Sequence, residues 1–320
     1  MKYYRLTTKS PYRNLAVEEY LFRHTDDDVF MLWQNEPTVV IGKNQNAYAE
    51  VDLTYAKEQG IHVSRRITGG GAVYHDLGNL NFTFITSQEK AAVLDYAYFT
   101  KPILAALAEL GLSCALSGRN DLECDGRKFS GNAQHAEDGR ILHHGTILFD
   151  TDVSVMSRVL RVDKEKLEFR AVKSHASRVV NLRELLGDSF GVESLISHIE
   201  AFVLGSMGAE KAALPQSAEI DALCERNASE EWIFSDKRYL TSYKIEKKQK
   251  YPFGLVKLAM EMEKEKITGI RISGDFFGIA PIEELEAHLI AQRIDAIAPI
   301  DLSPYIAGMS FSELYELIRE

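Results

Sequence analysis

Three consecutive glycines, Gly69, Gly70 and Gly71, stand inside the segment RRITGGGAVYHDLGNLNFTF, which runs from Arg65 to Phe84 with strand-like sequence on both sides. Glycine loses more conformational freedom on folding than any other residue. A triplet between paired strands is therefore costly unless the backbone bends sharply or approaches a ligand closely. One or two glycines satisfy a turn. Three, flanked by Arg65 and Arg66, predict a loop whose amides and cations wrap an anion.

The surrounding pattern places that loop in a sheet. VFMLW (29–33) and TVVIG (38–42) read as strands separated by the turn-prone NEP, and IHVSR (61–65) leads into the loop. LNFTFI leaves it, with Leu80, Phe82 and Phe84 alternating on one face. Helices are expected over 14–23 behind the cap candidate Asn14, and over 52–58 closed by Gly60. A third is expected over 100–110, with Pro102 in a first turn that tolerates it. From Leu112 to Asp150 strands alternate with tight turns at Asp125-Gly126 and Asp138-Gly139, and helical sequence dominates from Val153 to about Ser235. The basic, weakly patterned Lys237 to Lys250 reads as a linker. Beyond it Val256, Leu258, Met260 and Met262 alternate with Lys257, Ala259, Glu261 and Glu263; the strand ITGIRIS and two helices follow, the second capped by Ser310 and Glu313. The expectation is an α+β chain with a large domain over 1–244 and a small α+β domain over 245–320.

Composition narrows the function classes. The chain has 320 residues, 45% hydrophobic and 26% charged, and its net charge of −10 argues against broad nucleic-acid binding. Cys114, Cys124 and Cys224 are few and widely spaced, so neither a disulfide framework nor a zinc pattern follows and a reducing compartment is expected. No run approaches a membrane span, and the opening MKYYRLTTKSPYRN lacks the apolar core of a signal peptide. A cytoplasmic, monomeric protein that binds neither nucleic acid nor membrane is expected.

Two further clusters carry chemistry. In SGRNDLECDGRKFSGNAQ, Asn120 and Asp121 precede a hairpin whose return strand carries Lys128, so a carboxylate for Mg²⁺ and an ammonium for a phosphate oxygen lie at the ends of one strand pair. In EFRAVKSHASRVVNLRE, Arg170, Lys173 and Arg178 lack an apolar face and read as a mobile loop that closes over a polyanion. Taken singly, each feature has a structural explanation. The glycines match neither GxGxxG nor GK[ST], and a lone hairpin lysine is a surface residue. His143 and His144 point to opposite faces of a strand, which keeps them off one metal ion. Cys124 has no histidine near in sequence to act as its base.

Taken in order, these segments resemble the lipoate–protein ligase family over essentially the whole chain. NLAVEEYLF and FMLWQNEPTVVIGKNQNAYAEV are similar to the family's opening, RRITGGGAVYHDLGN to its lipoate-binding loop, and GRNDLECDGRKFSGNAQ to its lysine-bearing segment; HHGTILFD and SRVVNL fall in the family's order. Thr68 stands where serine is common, and the hydroxyl survives. The resemblance implies a mixed β-sheet core with flanking helices, shared with biotin protein ligases and related to class II synthetase cores, plus a small C-terminal domain. It implies that Lys128 contacts the acyl carbonyl and the α-phosphate of an acyl-adenylate. Arg66, Gly71, Ala72, Val73, Tyr74, Asn79, Asn120 and Asp121 would bind ATP or the adenylate, with Asp121 the magnesium ligand. Thr68, Gly69, Gly70, His75, Ala133 and His144 would bind lipoate with Lys128. The implied acceptors are lipoyl domains of 2-oxoacid dehydrogenase subunits, a glycine-cleavage carrier, or both. An ATP-independent octanoyl or lipoyl transferase and a non-catalytic binder of lipoyl carriers are the competing readings; the first requires a cysteine nucleophile, for which Cys124 is the only nearby candidate.

Overall fold

The computed structural model describes residues 1–161, 179–234 and 243–319. Arg170, Lys173 and Arg178, the expected closing loop, lie outside these residues.

The order of elements begins β1 (Lys2–Arg5), α1 (Pro11–His24), β2 (Val29–Trp33), β3 (Thr38–Ile41), α2 (Ala47–Glu50), α3 (Leu53–Glu58), β4 (His62–Arg65), β5 (Val73–His75), β6 (Asn79–Ser87) and α4 (Tyr96–Glu109). It continues with β7 (Cys114–Ser117), β8 (Asp121–Cys124), β9 (Arg127–Glu137), β10 (Arg140–Leu148), α5 (Val153–Val159), α6 (Leu182–Leu186), α7 (Val192–Ser206), β11 (Glu210–Lys211), α8 (Ala218–Ala228) and α9 (Glu230–Ile233). The C-terminal part holds β12 (Ile245–Tyr251), β13 (Gly254–Glu263), β14 (Lys266–Gly274), α10 (Ile282–Leu289) and α11 (Phe311–Arg319).

Eight strands form one mixed sheet in the order β11-β1-β2-β6-β10-β9-β8-β7, and β4-β3-β5 form a second small sheet. Strand β6 is buried on both faces, so its alternation separates two cores rather than core from solvent. Leu80, Phe82 and Phe84 pack with Phe99, Ile103 and Leu107 of α4 and with Leu195, Ile199 and Val203 of α7. Ile85 on the opposite face packs with Leu15, Val17 and Leu21 of α1 and Ile220 of α8. Both Asp-Gly turns hold two successive positive φ angles, Asp125 +52° with Gly126 +71° and Asp138 +49° with Gly139 +74°, as two-residue hairpins require.

Several boundaries differ from the sequence reading. Helix α1 starts at Pro11 behind Ser10, whose side chain accepts from the Arg13 amide, and Asn14 is buried inside it. The Asn14 amide instead donates to the Gln34 carbonyl and to Asn35 Oδ1, at 2.8 and 2.9 Å. Helix α4 begins at Tyr96 behind Asp95, which moves Pro102 out of the first turn and into the helix interior. The stretch read as a linker contains β12: its second half, from Ile245, pairs with β13 along seven residues.

The C-terminal part builds its own core from Val256, Leu258, Met260, Ile270, Ile272, Leu285 and Leu314, where the alternating residues of β13 meet the apolar faces of α10 and α11. Ser310 and Glu313 form the expected reciprocal cap on α11. This unit sits against the glycine loop. The Phe276 carbonyl accepts from the Gly70 amide at 3.2 Å, the Asn44 carbonyl accepts from the Gly274 amide at 3.0 Å, and Lys257 pairs with Glu50 at 3.4 Å.

Candidate active site

The two sheets and α1 leave a cleft with a cavity volume of about 130 Å³ between them. Its floor is apolar and deep: Leu15 from α1, Trp33 from β2, Val40 from β3 and Val73 from β5. Its mouth is polar and more open, with Asn120, Lys128 and Gly131. Phe277 of the C-terminal part closes one side. That ring lies under the Arg119 guanidinium, 4.3 Å from its centroid, and edge-on to Tyr96 at 6.0 Å.

The glycine loop is shaped from inside by Arg66. Its Nη2 donates to the carbonyls of Gly69 and Gly71, both at 2.8 Å, Nη1 to the Val40 carbonyl at 3.1 Å, and Nε to Thr68 Oγ1 at 2.8 Å. Burial pulls the Arg66 guanidinium down to about 10, with the Glu18 carboxylate opposing that shift. The three glycines have three different environments. Gly70 has φ +92°, a region that favours glycine. A Cβ on Gly69 would lie 2.7 Å from the Phe276 carbonyl oxygen. Gly71 has open space, with its nearest neighbour at 4.0 Å, and it lines the cleft.

Arg65 does something else. Its side chain turns away from the loop and donates to the carbonyls of Gly42, Lys43, Gln45, Trp232 and Ile233 at 2.7–3.1 Å. The arginine pair expected to neutralise an anion is thus divided: Arg65 staples α9 to the end of β3, and Arg66 builds the loop.

Lys128 enters the cleft from β9. Its Nζ lies 2.8 Å from Asp121 Oδ1 on neighbouring β8, both side chains partly exposed. Its carbonyl accepts from the Val180 amide at 2.9 Å, tying the SRVVNL segment to the lysine strand. Asn120 and Asn132 lock the two strands by exchanging bonds, each Nδ2 donating to the other's carbonyl at 2.7 and 3.0 Å.

Of the residues singled out in the sequence, Arg66, Gly70, Gly71, Ala72, Val73, His75, Asn120, Lys128, Ala133 and His144 line the cleft. Thr68, Gly69 and Asp121 stand one contact behind it, through Arg66, His144 and Lys128. Asn79 donates to Asn81 Oδ1, and Asn81 lines the cleft. The Tyr74 side chain packs with Val39 and Ile41 on the other side of β5, so only its backbone is offered. His143 and His144 do face opposite ways. His143 stacks on Phe99 at 4.8 Å, burial holding it well below its usual value, whereas His144 reaches Thr68 and Glu18. Burial pushes His75 down to about 3; its Nδ1 faces the Asn35 amide at 3.0 Å. Trp33, Leu15, Val40 and Phe277 were not singled out. They read as ordinary core residues in sequence, and nothing local marks an apolar side chain as lining a cleft. Among the described residues no group of three or more His, Cys, Asp or Glu side chains could hold a metal.

A family model for the lipoyl protein ligase A/B catalytic domain matches residues 10–203, and one for the bacterial lipoate protein ligase C-terminus matches residues 241–318. The chain belongs to the lipoate–protein ligase family. It is an enzyme of the ligase class with the biotin/lipoate ligase fold. Among its relatives, lipoate-protein ligase LplJ of Bacillus subtilis is 37% identical over 320 residues, covering 96% of each chain. The solved LipL1 of P. falciparum, in complex with lipoate, superposes with a TM-score of 0.77 at 23% identity, covering 92% of this chain and 90% of that one. A lipoate-protein ligase A bound with ATP gives 0.61 at 25% identity (73% and 99%). A bipartite ligase of Thermoplasma acidophilum, studied with its E2 lipoyl domain, gives 0.64 at 27% (73% and 95%). No helix of the described residues is long and apolar enough to cross a membrane.

Proposed function

We propose that this ligase works in two ATP-dependent steps. The lipoate carboxylate attacks the α-phosphorus of ATP, releasing pyrophosphate and forming lipoyl-AMP. The ε-amine of an acceptor lysine then attacks the acyl carbon and expels AMP. The observation that carries this reading is the polarity of the cleft: an apolar floor of Leu15, Trp33 and Val40 leads to a mouth holding Lys128 and the exposed backbone of Gly71. Such a shape takes an acyl chain inward and leaves its carboxyl group among cations and amides.

Negative charge builds on oxygens near Lys128 in both steps, on the phosphorus centre first and on the carbonyl second. A fixed ammonium there acts as preorganised electrostatic stabilisation. Asp121 holds that ammonium in place, and the Asn120–Asn132 exchange fixes the strand pair that carries both. A single carboxylate suits Mg²⁺, which keeps several waters and binds through one or two carboxylates plus substrate phosphates. Asp121 would hold it, and the ion would neutralise the triphosphate. The acceptor amine, ordinarily near 10.4, must lose a proton before it attacks. ATP is bound by one structural relative, and another was studied with a lipoyl domain, which supports a lipoyl domain as acceptor here. We assign catalysis to residues 1–244 and an accessory role, gating the cleft or orienting the acceptor, to 245–320.

The transferase reading needs a cysteine at the reacting centre. Cys124 is buried, its Sγ bonded to the Ser113 carbonyl at 3.4 Å, and it does not line the cleft. Incubating the protein with ATP, Mg²⁺, lipoate and an apo lipoyl domain should add one lipoyl group to the domain by mass, and omitting ATP should abolish it. Equal modification without ATP would overturn the ligase mechanism.

A further inference from the structure

A buried carboxylate stands behind the cleft. Glu18 lies on α1, is 1% exposed, and does not line the cleft. Its Oε1 accepts from Thr83 Oγ1 at 2.6 Å and faces His144 Nδ1 at 3.0 Å; its Oε2 lies 3.1 Å from the same nitrogen. Across the ring, His144 Nε2 lies 2.9 Å from Thr68 Oγ1, which accepts from Arg66 Nε at 2.8 Å. Trp33 Nε1 donates to Thr83 Oγ1 at 2.9 Å.

The directions follow from chemistry. An arginine Nε and an indole N–H only donate. Thr68 accepts from Arg66, which leaves its own hydrogen to donate to His144 Nε2, and Thr83 accepts from Trp33 and donates its hydrogen to Glu18. His144 keeps its hydrogen on Nδ1 and donates it as a hydrogen bond to Glu18. With that arrangement every hydrogen in the chain has an acceptor, and both arms end on one carboxylate. Two buried opposite charges are also matched, the Arg66 guanidinium at one end and Glu18 at the other.

We propose that Glu18 is a positioning residue: through His144 and Thr68 it holds Arg66, and so the glycine loop, in the form that receives the nucleotide. This rests on the ATP-dependent reading above. Glutamine at 18 keeps the volume, but its NH₂ group replaces the oxygen that lies 3.1 Å from His144 Nδ1 and sets a donor against that nitrogen. The ring proton then moves to Nε2 and meets the Thr68 proton. Thr68 turns, and Arg66 Nε loses its acceptor.

The test combines side-chain ¹⁵N NMR with kinetics on the full chain. The wild-type His144 ring should be neutral and protonated at Nδ1, and the Arg66 Nε–H should exchange slowly with solvent. In Glu18→Gln the ring proton should sit on Nε2, and the Arg66 Nε–H should exchange about tenfold faster, the scale of losing one hydrogen bond. In ATP–pyrophosphate exchange, Glu18→Gln should raise KM for ATP about tenfold and KM for lipoate less than threefold. Thr68→Val should match it, and the double substitution should be no worse than either. A wild-type ring protonated at Nε2 or at both nitrogens overturns the proposal, as does unchanged Arg66 exchange in Glu18→Gln or strict additivity with Thr68→Val. If Glu18→Gln fails to fold, the wild-type tautomer and Thr68→Val decide. Absence of ATP–pyrophosphate exchange in the wild type would refute the ATP-dependent reading instead, and the NMR results would still judge the relay.

Discussion

Replacing Lys128 with methionine removes the ammonium while keeping most of the stem, and the structure sets what else changes. The ion pair with Asp121 spans 2.8 Å between side chains that are 40% and 32% exposed. A pair that open contributes at most about 1 kcal/mol to stability. The backbone bond from Val180 to the Lys128 carbonyl does not depend on the side chain. The variant is therefore expected to fold, with a melting transition close to that of the wild type. Its chemistry should fail. Losing one preorganised donor at the place where charge develops costs about 3–4 kcal/mol, a rate drop of roughly 10²–10³.

Arginine should not restore the rate. A planar fork cannot take the position of a compact ammonium beside Asp121. Lipoate binding should weaken far less, because burying about four methylenes contributes roughly 3 kcal/mol independently of the lysine. The assay scores adenylate formation from ATP and lipoate separately from transfer of presynthesised lipoyl-AMP to an apo lipoyl domain. Near-normal rates in both for a folded Lys128→Met would leave this lysine structural and refute the mechanism.

Other consequences are equally direct. His75 and His135 are held near 3 and 4 by burial, and His143 well below its usual value. Between those values and about 6.5 the unfolded chain binds more protons, so stability rises with pH and is lost on acidification, by up to about 1.4 kcal/mol per pH unit for each histidine. Asp76, raised by burial, opposes this weakly; urea midpoints that match at pH 7 and pH 5 would contradict the reading. Gly78→Ala places a Cβ 2.1 Å from the Asp150 carbonyl oxygen and should cost about 1–3 kcal/mol, read as a lowered urea midpoint. Ending the chain after Lys244 removes Phe277 from the cleft, and a folded truncation should still make lipoyl-AMP; loss of that activity would assign chemistry to the C-terminal part.

Strands are legible as short apolar runs bounded by turn residues where both faces are buried, as in β2 and β3, and as alternation where one face is more open, as in β13. The strands β2, β3, β4, β6, β13 and β14 and both Asp-Gly turns lie where alternation and turn chemistry place them. The misreadings share one cause: a tertiary partner outweighed a local signal. Asn14 has the side chain of a cap, but Gln34 and Asn35 take its amide, and Ser10 with Pro11 starts the helix a turn earlier. Pro102 has the signature of a first turn, but Asp95 caps earlier and Phe99, Ile103 and Leu107 anchor the longer helix in the core. The β12 residues IEKKQKY are polar because this edge strand covers one side of β13, and polarity without a clear period reads as linker.

The site shows the same division more sharply. The spacing of Arg65 and Arg66 gave two cations beside a glycine loop, but charge in a sequence carries no direction. Strand β4 ends at Arg65, and successive residues there leave on opposite sides. One guanidinium therefore meets the carbonyls of α9 and the β3 end, and the other curls into the loop. The glycines divide similarly. Gly70 is required by its φ, and Gly69 by the Phe276 carbonyl, so fold alone accounts for both. Gly71 has neither constraint, and its nearest neighbour would be 4.0 Å from an added Cβ. A glycine that the fold does not need, facing a cleft beside Lys128, is best explained by what enters the cleft: a side chain there would stand between the loop amides and a phosphate. Gly71→Ala should accordingly leave the urea midpoint within about 1 kcal/mol of wild type, since no backbone strain or clash is introduced. Its effect should appear as a raised KM for ATP in adenylate formation. A variant that loses stability without changing that KM would show that Gly71, too, belongs to the fold.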